Sequence, residues 1–137
     1  MTGAVPVRDH ASVRTWEPAE RRALDRSPLI RIAASRTDGS VGRFATIGHV
    51  RVGDAELVRS LRGLDGAWYR GALRTGRAEI DVGGLRIGVA VTPASEPPGD
   101  VDAAFRARYG EDAGVRAMTR PPARESTLLL RPLGAVD

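Results

Sequence analysis

The chain has 137 residues, of which 42% are hydrophobic and 28% charged, which is one globular domain's worth of core and no more. Cysteine is absent, so disulfides, thiolate metal sites and cysteine nucleophiles are excluded together, and no apolar run approaches the ~18 residues of a membrane span. Every one of the 21 cationic side chains is Arg, and Arg59, Arg62, Arg70, Arg74 and Arg77 stand against one acid, Asp65, between Leu57 and Arg77, so this segment holds the whole +4 excess.

Residues 1–14 lack periodicity and read as a flexible leader, leaving 15–137 as a single domain. Thr15 is placed to cap a helix over about Glu17–Arg26, with Pro18 and acids in the first turn, Arg in the last, and Pro28 beyond its end. Leu29–Arg36 alternates as a strand and Thr37-Asp38-Gly39-Ser40 is a turn. Phe44–Val52 and Glu56–Ser60 form a hairpin across Gly53-Asp54. A glycine-punctuated loop, Leu61–Gly66, leads into a helix over Ala67–Arg74 that Gly76 ends. Arg77–Val82 and Leu85–Thr92 form a second hairpin across Gly83-Gly84, with Leu85, Ile87, Val89 and Val91 on one face. After a Pro/Gly linker at 93–99, Asp100 or Asp102 starts an amphipathic helix with Val101, Ala104, Phe105 and Tyr109 on one stripe. A second short helical stretch and the Pro121-Pro122 break precede a closing strand, Ser126–Arg131. About six strands and three short helices, dominated by hairpins, predict an α+β, mainly β architecture: a small antiparallel barrel decorated by helices.

Catalytic constellations are scarce. His10 falls in the leader and His49 in a strand, with no His/acid cluster at metal-ligand spacing and no nucleophile-elbow sequence. His49 stays a candidate for contact with a ligand, since an imidazole hydrogen-bonds through either nitrogen. The pairs Asp100/Asp102 and Glu79/Asp81 read as solvated polar positions.

The segment Arg59-Ser60-Leu61-Arg62-Gly63-Leu64-Asp65-Gly66-Ala67-Trp68-Tyr69-Arg70 differs from the rest. Guanidinium forks, a hydroxyl and two glycines precede a helix N-terminus, the arrangement of a phosphate cradle, and Trp68 and Tyr69 beside it suit a flat ring. The competing reading is an Arg-rich hairpin end whose aromatics pack into the barrel. Nucleic acid is disfavoured because the aromatics do not interleave along strands as a stacking platform would.

The order Ser35-Arg36-Thr37-Asp38-Gly39, Val52-Gly53-Asp54, then Leu57-Val58-Arg59-Ser60-x-x-Gly63-x-x-Gly66-x-Trp68-Tyr69-Arg70 resembles a bacterial family known as domain of unknown function 2255. Val101-Asp102-Ala103-Ala104-Phe105-Arg106-Ala107-Arg108-Tyr109-Gly110 and Ser126-Thr127-Leu128-x-Leu130-x-Pro132 match its later landmarks. That family is in turn similar to the deazaflavin-dependent nitroreductase group of FMN-binding split β-barrels. The resemblance implies a split barrel, an FMN or deazaflavin site in a homodimer, and phosphate binding at Arg36 and Thr37 and at Ser60, Arg62 and Gly63. Trp68-Tyr69-Arg70 stands where those relatives carry Trp-Tyr-His. Gly48 replaces a bulky aromatic and Leu57 a common Tyr, which implies open space inside the barrel beside His49.

Three functions follow as expectations. The first is a cytoplasmic flavin- or deazaflavin-dependent oxidoreductase acting on a small organic substrate, with Arg36, Arg59, Ser60 and Arg62 on the phosphate and Gly63, Gly66, Trp68 and Tyr69 shaping the ring site. The second is a cofactor-independent cyclase or isomerase of secondary metabolism using the cavity, with His49 or Tyr69 as its polar handle. The third is a non-enzymatic module that binds a cofactor or nucleic acid.

Overall fold

The computed structural model describes residues 12–134, so the expected leader lies outside the described residues except at its last three positions. There, Val13 bridges Leu133 and the Arg14 N–H donates to the Pro132 carbonyl at 2.9 Å, tying the N-terminal segment to the end of the chain. Helix α1 (Pro18–Arg26) starts on a proline, which fixes φ where no N–H is needed. Its cap is Glu17 rather than Thr15. The Glu20 carboxylate accepts the Glu17 N–H at 2.9 Å and grips the Arg14 guanidinium at 2.8 and 2.7 Å.

Six strands follow: β1 (Leu29–Ala34), β2 (Ala45–Val52), β3 (Ala55–Val58), β4 (Arg77–Val82), β5 (Leu85–Pro93) and β6 (Leu128–Pro132). They close an antiparallel barrel in the order β1-β2-β3-β6-β5-β4. Gly53 (φ 61°), Gly83 (φ 55°) and Gly84 (φ 91°) supply the left-handed backbone that two-residue hairpin turns demand, and this sets Val52 opposite Ala55 and Val82 opposite Leu85. Once register is fixed, alternation decides the interior. Ile32, Ile80, Val89 and Leu130 point inward and are fully buried.

The outward face of β2 and β3 is roofed by α3 (Pro98–Tyr109), whose Val101 and Phe105 pack on Val50 and Leu57 in a second core. Each such buried side chain contributes about 1.5–3 kcal/mol. Helix α3 begins at Pro98, earlier than the aspartates suggest, and α4 (Ala113–Met118) follows it with Asp112 accepting the Val115 N–H at 3.0 Å. Helix α2 (Ala67–Thr75) runs against β1, so four α-helices decorate the barrel among the described residues. The approach is close: a Cβ on Gly71 would lie 2.8 Å from the Ala34 Cβ.

Candidate functional site: an arginine-lined cleft

Strand β1 ends at Ala34, and the connection to β2 folds back as a turn. Arg36 stabilises that turn from within, donating through Nη1 to the Val41 carbonyl at 2.8 Å and to Ser40 Oγ at 3.2 Å. Asp38 Oδ1 accepts from the Ser40 hydroxyl and amide, and these hydrogen bonds hold its carboxyl below the usual range. On the other side lies α2, whose Ala67, Trp68, Gly71 and Thr75 share one face at helical spacing. Between turn and helix opens a cleft of about 400 Å³, lined also by Ser35, Arg36, Thr37, Gly42, Arg43 and Arg74.

Three arginines and no carboxylate line this cleft. Several arginines elsewhere are paired with carboxylates: Arg14 with Glu20, Arg51 with Asp25 and Glu56, Arg59 and Arg124 with Asp102, Arg86 with Glu79. Arg36, Arg43 and Arg74 form no ion pair with any described residue, yet all three line one cleft. Three uncompensated guanidinium forks around a half-buried indole make a site for an anion joined to a flat or apolar body.

Of the residues singled out in the sequence, Arg36, Thr37 and Trp68 meet in this cleft, and the others do not. Arg59 is fully buried, with Nη1 on Asp102 Oδ1 at 2.6 Å and the Met118 carbonyl at 2.9 Å, and Nε on Thr127 Oγ1 at 2.9 Å. It ties the end of β3 to α3, with Nη2 also donating to the Pro98 carbonyl at 3.3 Å. Ser60 is buried and clasps Ser126, its N–H donating to Ser126 Oγ at 2.8 Å. Gly63 (φ +63°) turns so tightly on Pro122 that a Cβ would lie 2.6 Å from the proline Cβ, and Gly66 packs on Ser60. The glycine-rich segment therefore packs against residues 122–126. Arg62 and Arg70 are exposed and line no part of the cleft. Tyr69 meets Trp68 edge-on at 6.2 Å, is 6% exposed, and has its hydroxyl pKa raised by burial.

His49 also departs from expectation. It points into the barrel, where Nδ1 lies 2.7 Å from Glu56 Oε2 and Nε2 2.6 Å from the Ser27 carbonyl. Neighbouring residues on a strand face opposite sides, so Gly48 opens outward and shares no cavity with His49. The space at Gly48 is taken by Tyr109, whose Oη would lie 3.3 Å from a Cβ there. Beside them is an apolar cleft of about 360 Å³ that includes Leu29, Leu61, Phe105, Val115 and Met118.

Arg43 and Arg74 were not singled out as site residues. Arg74 follows Trp68 along α2 and flanks the face that carries Gly71 and Thr75, a spacing visible in the sequence. Arg43 joins them through the fold of the β1–β2 turn, which no local pattern reveals.

A closed six-stranded antiparallel barrel decorated by short helices defines the class: a split barrel. The chain belongs to the family described as an uncharacterized protein conserved in bacteria, DUF2255, which matches residues 20–130. No curated protein matches it by sequence. Among solved structures it is similar to the heme storage protein HutZ from Vibrio cholerae, with a TM-score of 0.59 and 13% identity over 89% of this chain and 92% of that one. ChuZ from Campylobacter jejuni gives a TM-score of 0.61 and 9% identity over 88% of this chain and 54% of that one. An F420 reductase gives a TM-score of 0.54 and 14% identity over 84% of this chain and 93% of that one. At these identities the likeness is one of fold.

Proposed function

We propose that the protein is an oxidoreductase that binds FMN or a deazaflavin coenzyme in the arginine-lined cleft and acts on a small organic substrate. One observation carries this reading: three arginines without carboxylate partners converge with Trp68 on a single cleft. Arg36, Arg43 and Arg74 would hold the phosphate, with the Ser35, Thr37 and Thr75 side chains beside them, and Trp68 would lie along the ring. The isoalloxazine or deazaflavin ring supplies hydride transfer when bound. This chain's own residues bind, orient and keep the ring from bulk water. Tyr69, buried and protonated at neutral pH, holds Trp68 from behind. A second copy of the chain would complete the open side of the cleft, as the split-barrel resemblance implies, and the lack of cysteine suits a cytoplasmic setting.

HutZ is a heme storage protein, and haem is the rival cofactor within the same fold. Iron needs an axial ligand, and among the described residues the one histidine, His49, has both ring nitrogens engaged. The donor set therefore favours a phosphate-bearing flavin. The apolar cleft beside Gly48 keeps a cofactor-free cyclase or isomerase as a second reading, but neither His49 nor Tyr69, the polar handles expected for it, lines that cleft.

The test is a fluorescence titration of the purified protein with FMN and, separately, with the deazaflavin coenzyme. Low-micromolar binding of one of them, about tenfold or more weaker in Arg74→Ala, is the expected result. Failure to bind either would overturn the redox reading.

A further inference from the structure

At the other end of the barrel is a second cleft, larger at about 800 Å³, between the start of α1, the β2–β3 hairpin and β6. The eight residues of β2 separate it from the arginine-lined cleft by roughly 25 Å. The chain's other tryptophan, Trp16, lines it and is held in place by packing on the barrel core.

Its charges are unmatched in both signs. Asp54, Glu96 and Arg131 line the cleft and form no ion pair with any described residue, although acids and base face the same space. Arg21 reaches the Asp54 carbonyl through Nη2 at 3.2 Å, but its Nη1 lies 3.7 Å from Glu56 Oε1 and has no hydrogen-bond partner. Glu96 Oε1 is likewise hidden from solvent without a partner. Buried donors and acceptors left unmade cost about 1–3 kcal/mol each, so a site that keeps one of each sign is poised for a molecule carrying both.

We propose that this cleft binds a zwitterionic small molecule of the amino-acid class with a flat or apolar side chain. The ligand's carboxylate meets Arg131 and Arg21, its ammonium meets Glu96 and Asp54, and its side chain lies on Trp16 and Leu129. A simple anion would satisfy the arginines and leave two carboxylates facing it. A simple amine would do the reverse. Only a ligand of both signs matches the lining. The inference does not depend on what the arginine-lined cleft holds.

The probe is L-phenylalanine, with phenylacetate and phenethylamine as analogues that each lack one charge. Calorimetry on the wild-type protein should show saturable binding of phenylalanine and binding about tenfold or more weaker for either analogue. Arg131→Met and Glu96→Gln should each weaken phenylalanine binding about tenfold. Because the chain has 2 Trp, the Trp68→Phe protein leaves Trp16 as its one indole, and phenylalanine should change that emission along the same isotherm. No heat up to about 10 mM phenylalanine overturns the proposal, as does equal affinity for the single-charge analogues. Binding that leaves Trp16 unchanged, or that survives both charge variants, places the ligand elsewhere and also overturns it. FMN is absent from every arm, so failure here leaves the flavin reading standing, and failure of that reading leaves this one intact.

Discussion

Nδ1 of His49 lies 2.7 Å from Oε2 of Glu56, and neither side chain is more than 1% exposed. The pair sits on neighbouring strands inside one end of the barrel, with Arg51 Nε donating to the other Glu56 oxygen at 3.0 Å. The imidazole reaches on to the Ser27 carbonyl, and Arg108 Nη2 donates to Leu24 and Ser27 carbonyls at 3.0 and 3.3 Å. The Arg108 guanidinium and the imidazole thus gather at the C-terminal end of α1, where the last carbonyls lack helical partners and carry partial negative charge.

Removing one member leaves the facing buried atom of the other, Glu56 Oε2 or His49 Nδ1, without its hydrogen-bond partner, at a cost of about 1–3 kcal/mol. Glu56→Ala and His49→Ala should each lose stability on that scale in urea unfolding. The double substitution with leucines should cost less than the two single losses summed. His49 lines neither the arginine-lined nor the apolar cleft, so a folded His49→Gln protein should bind FMN as the wild type does. Loss of FMN affinity in that variant would return the imidazole to the site.

Asp102 gives a pH-dependent prediction. Burial alone would raise its pKa, but hydrogen bonds from Arg59 and Arg124, with their charges, outweigh burial and hold the carboxyl below the usual range. The unfolded chain has the ordinary value near ~3.9, so the folded state binds fewer protons. The stability this contributes is complete above about pH 5 and is lost as pH falls through the lower, folded pKa. Acid unfolding of Asp102→Asn should therefore show a lower plateau at neutral pH and a shallower fall below about pH 4. A variant whose acid limb parallels the wild type would show that Asp102 does not carry this pH dependence.

The arginines divide into two classes that a set of alanine substitutions separates. Arg43→Ala and Arg74→Ala should each weaken FMN or deazaflavin binding about tenfold or more with little change in melting temperature, and Arg36→Ala should weaken it as much while also loosening the turn it ties to Ser40 and Val41. Arg62→Ala and Arg70→Ala, exposed and away from the cleft, should leave affinity unchanged. Arg59→Ala should act through stability, because it uncovers Asp102 inside the fold. Equal losses at Arg62 and Arg74 would point back to the glycine-rich loop as the anion site.

This contrast shows what the sequence made legible. The barrel was readable because two-residue turns at Gly53-Asp54 and Gly83-Gly84 set register, and register with alternation sets the interior. Arg51 opposite Glu56 follows from the first turn alone. Trp68 and Gly71 were readable as one helical face. The burial of Arg59 and Ser60 was not legible, because a Gly/Arg/Ser run has the composition of a phosphate loop whether it opens to ligand or folds onto a partner. The partner decides, and Asp102 lies 43 residues away and Ser126 66 residues away. Asp102 itself looked solvated for the same reason: a carboxylate's burial depends on the cation it meets, and that meeting is tertiary.

The floor of the arginine-lined cleft rests on the contact between Gly71 and Ala34, and it offers a test that separates packing from chemistry. In the middle of α2, alanine is intrinsically better than glycine by about 0.8–1.0 kcal/mol. A methyl at Gly71 would nevertheless lie 2.8 Å from the Ala34 Cβ, a distance that forces α2 away from β1. Gly71→Ala should therefore lower the melting temperature against its helix propensity, and it should weaken cofactor binding because Trp68 and Arg74 ride on the displaced helix. Ala34→Gly removes the opposing methyl. The double variant Gly71→Ala/Ala34→Gly should recover most of both losses, with stability measured by thermal unfolding and affinity by FMN titration. Recovery of stability without recovery of affinity would mean that the glycine serves the ligand directly, through the backbone it leaves uncovered in the cleft, and not only the approach of helix to strand.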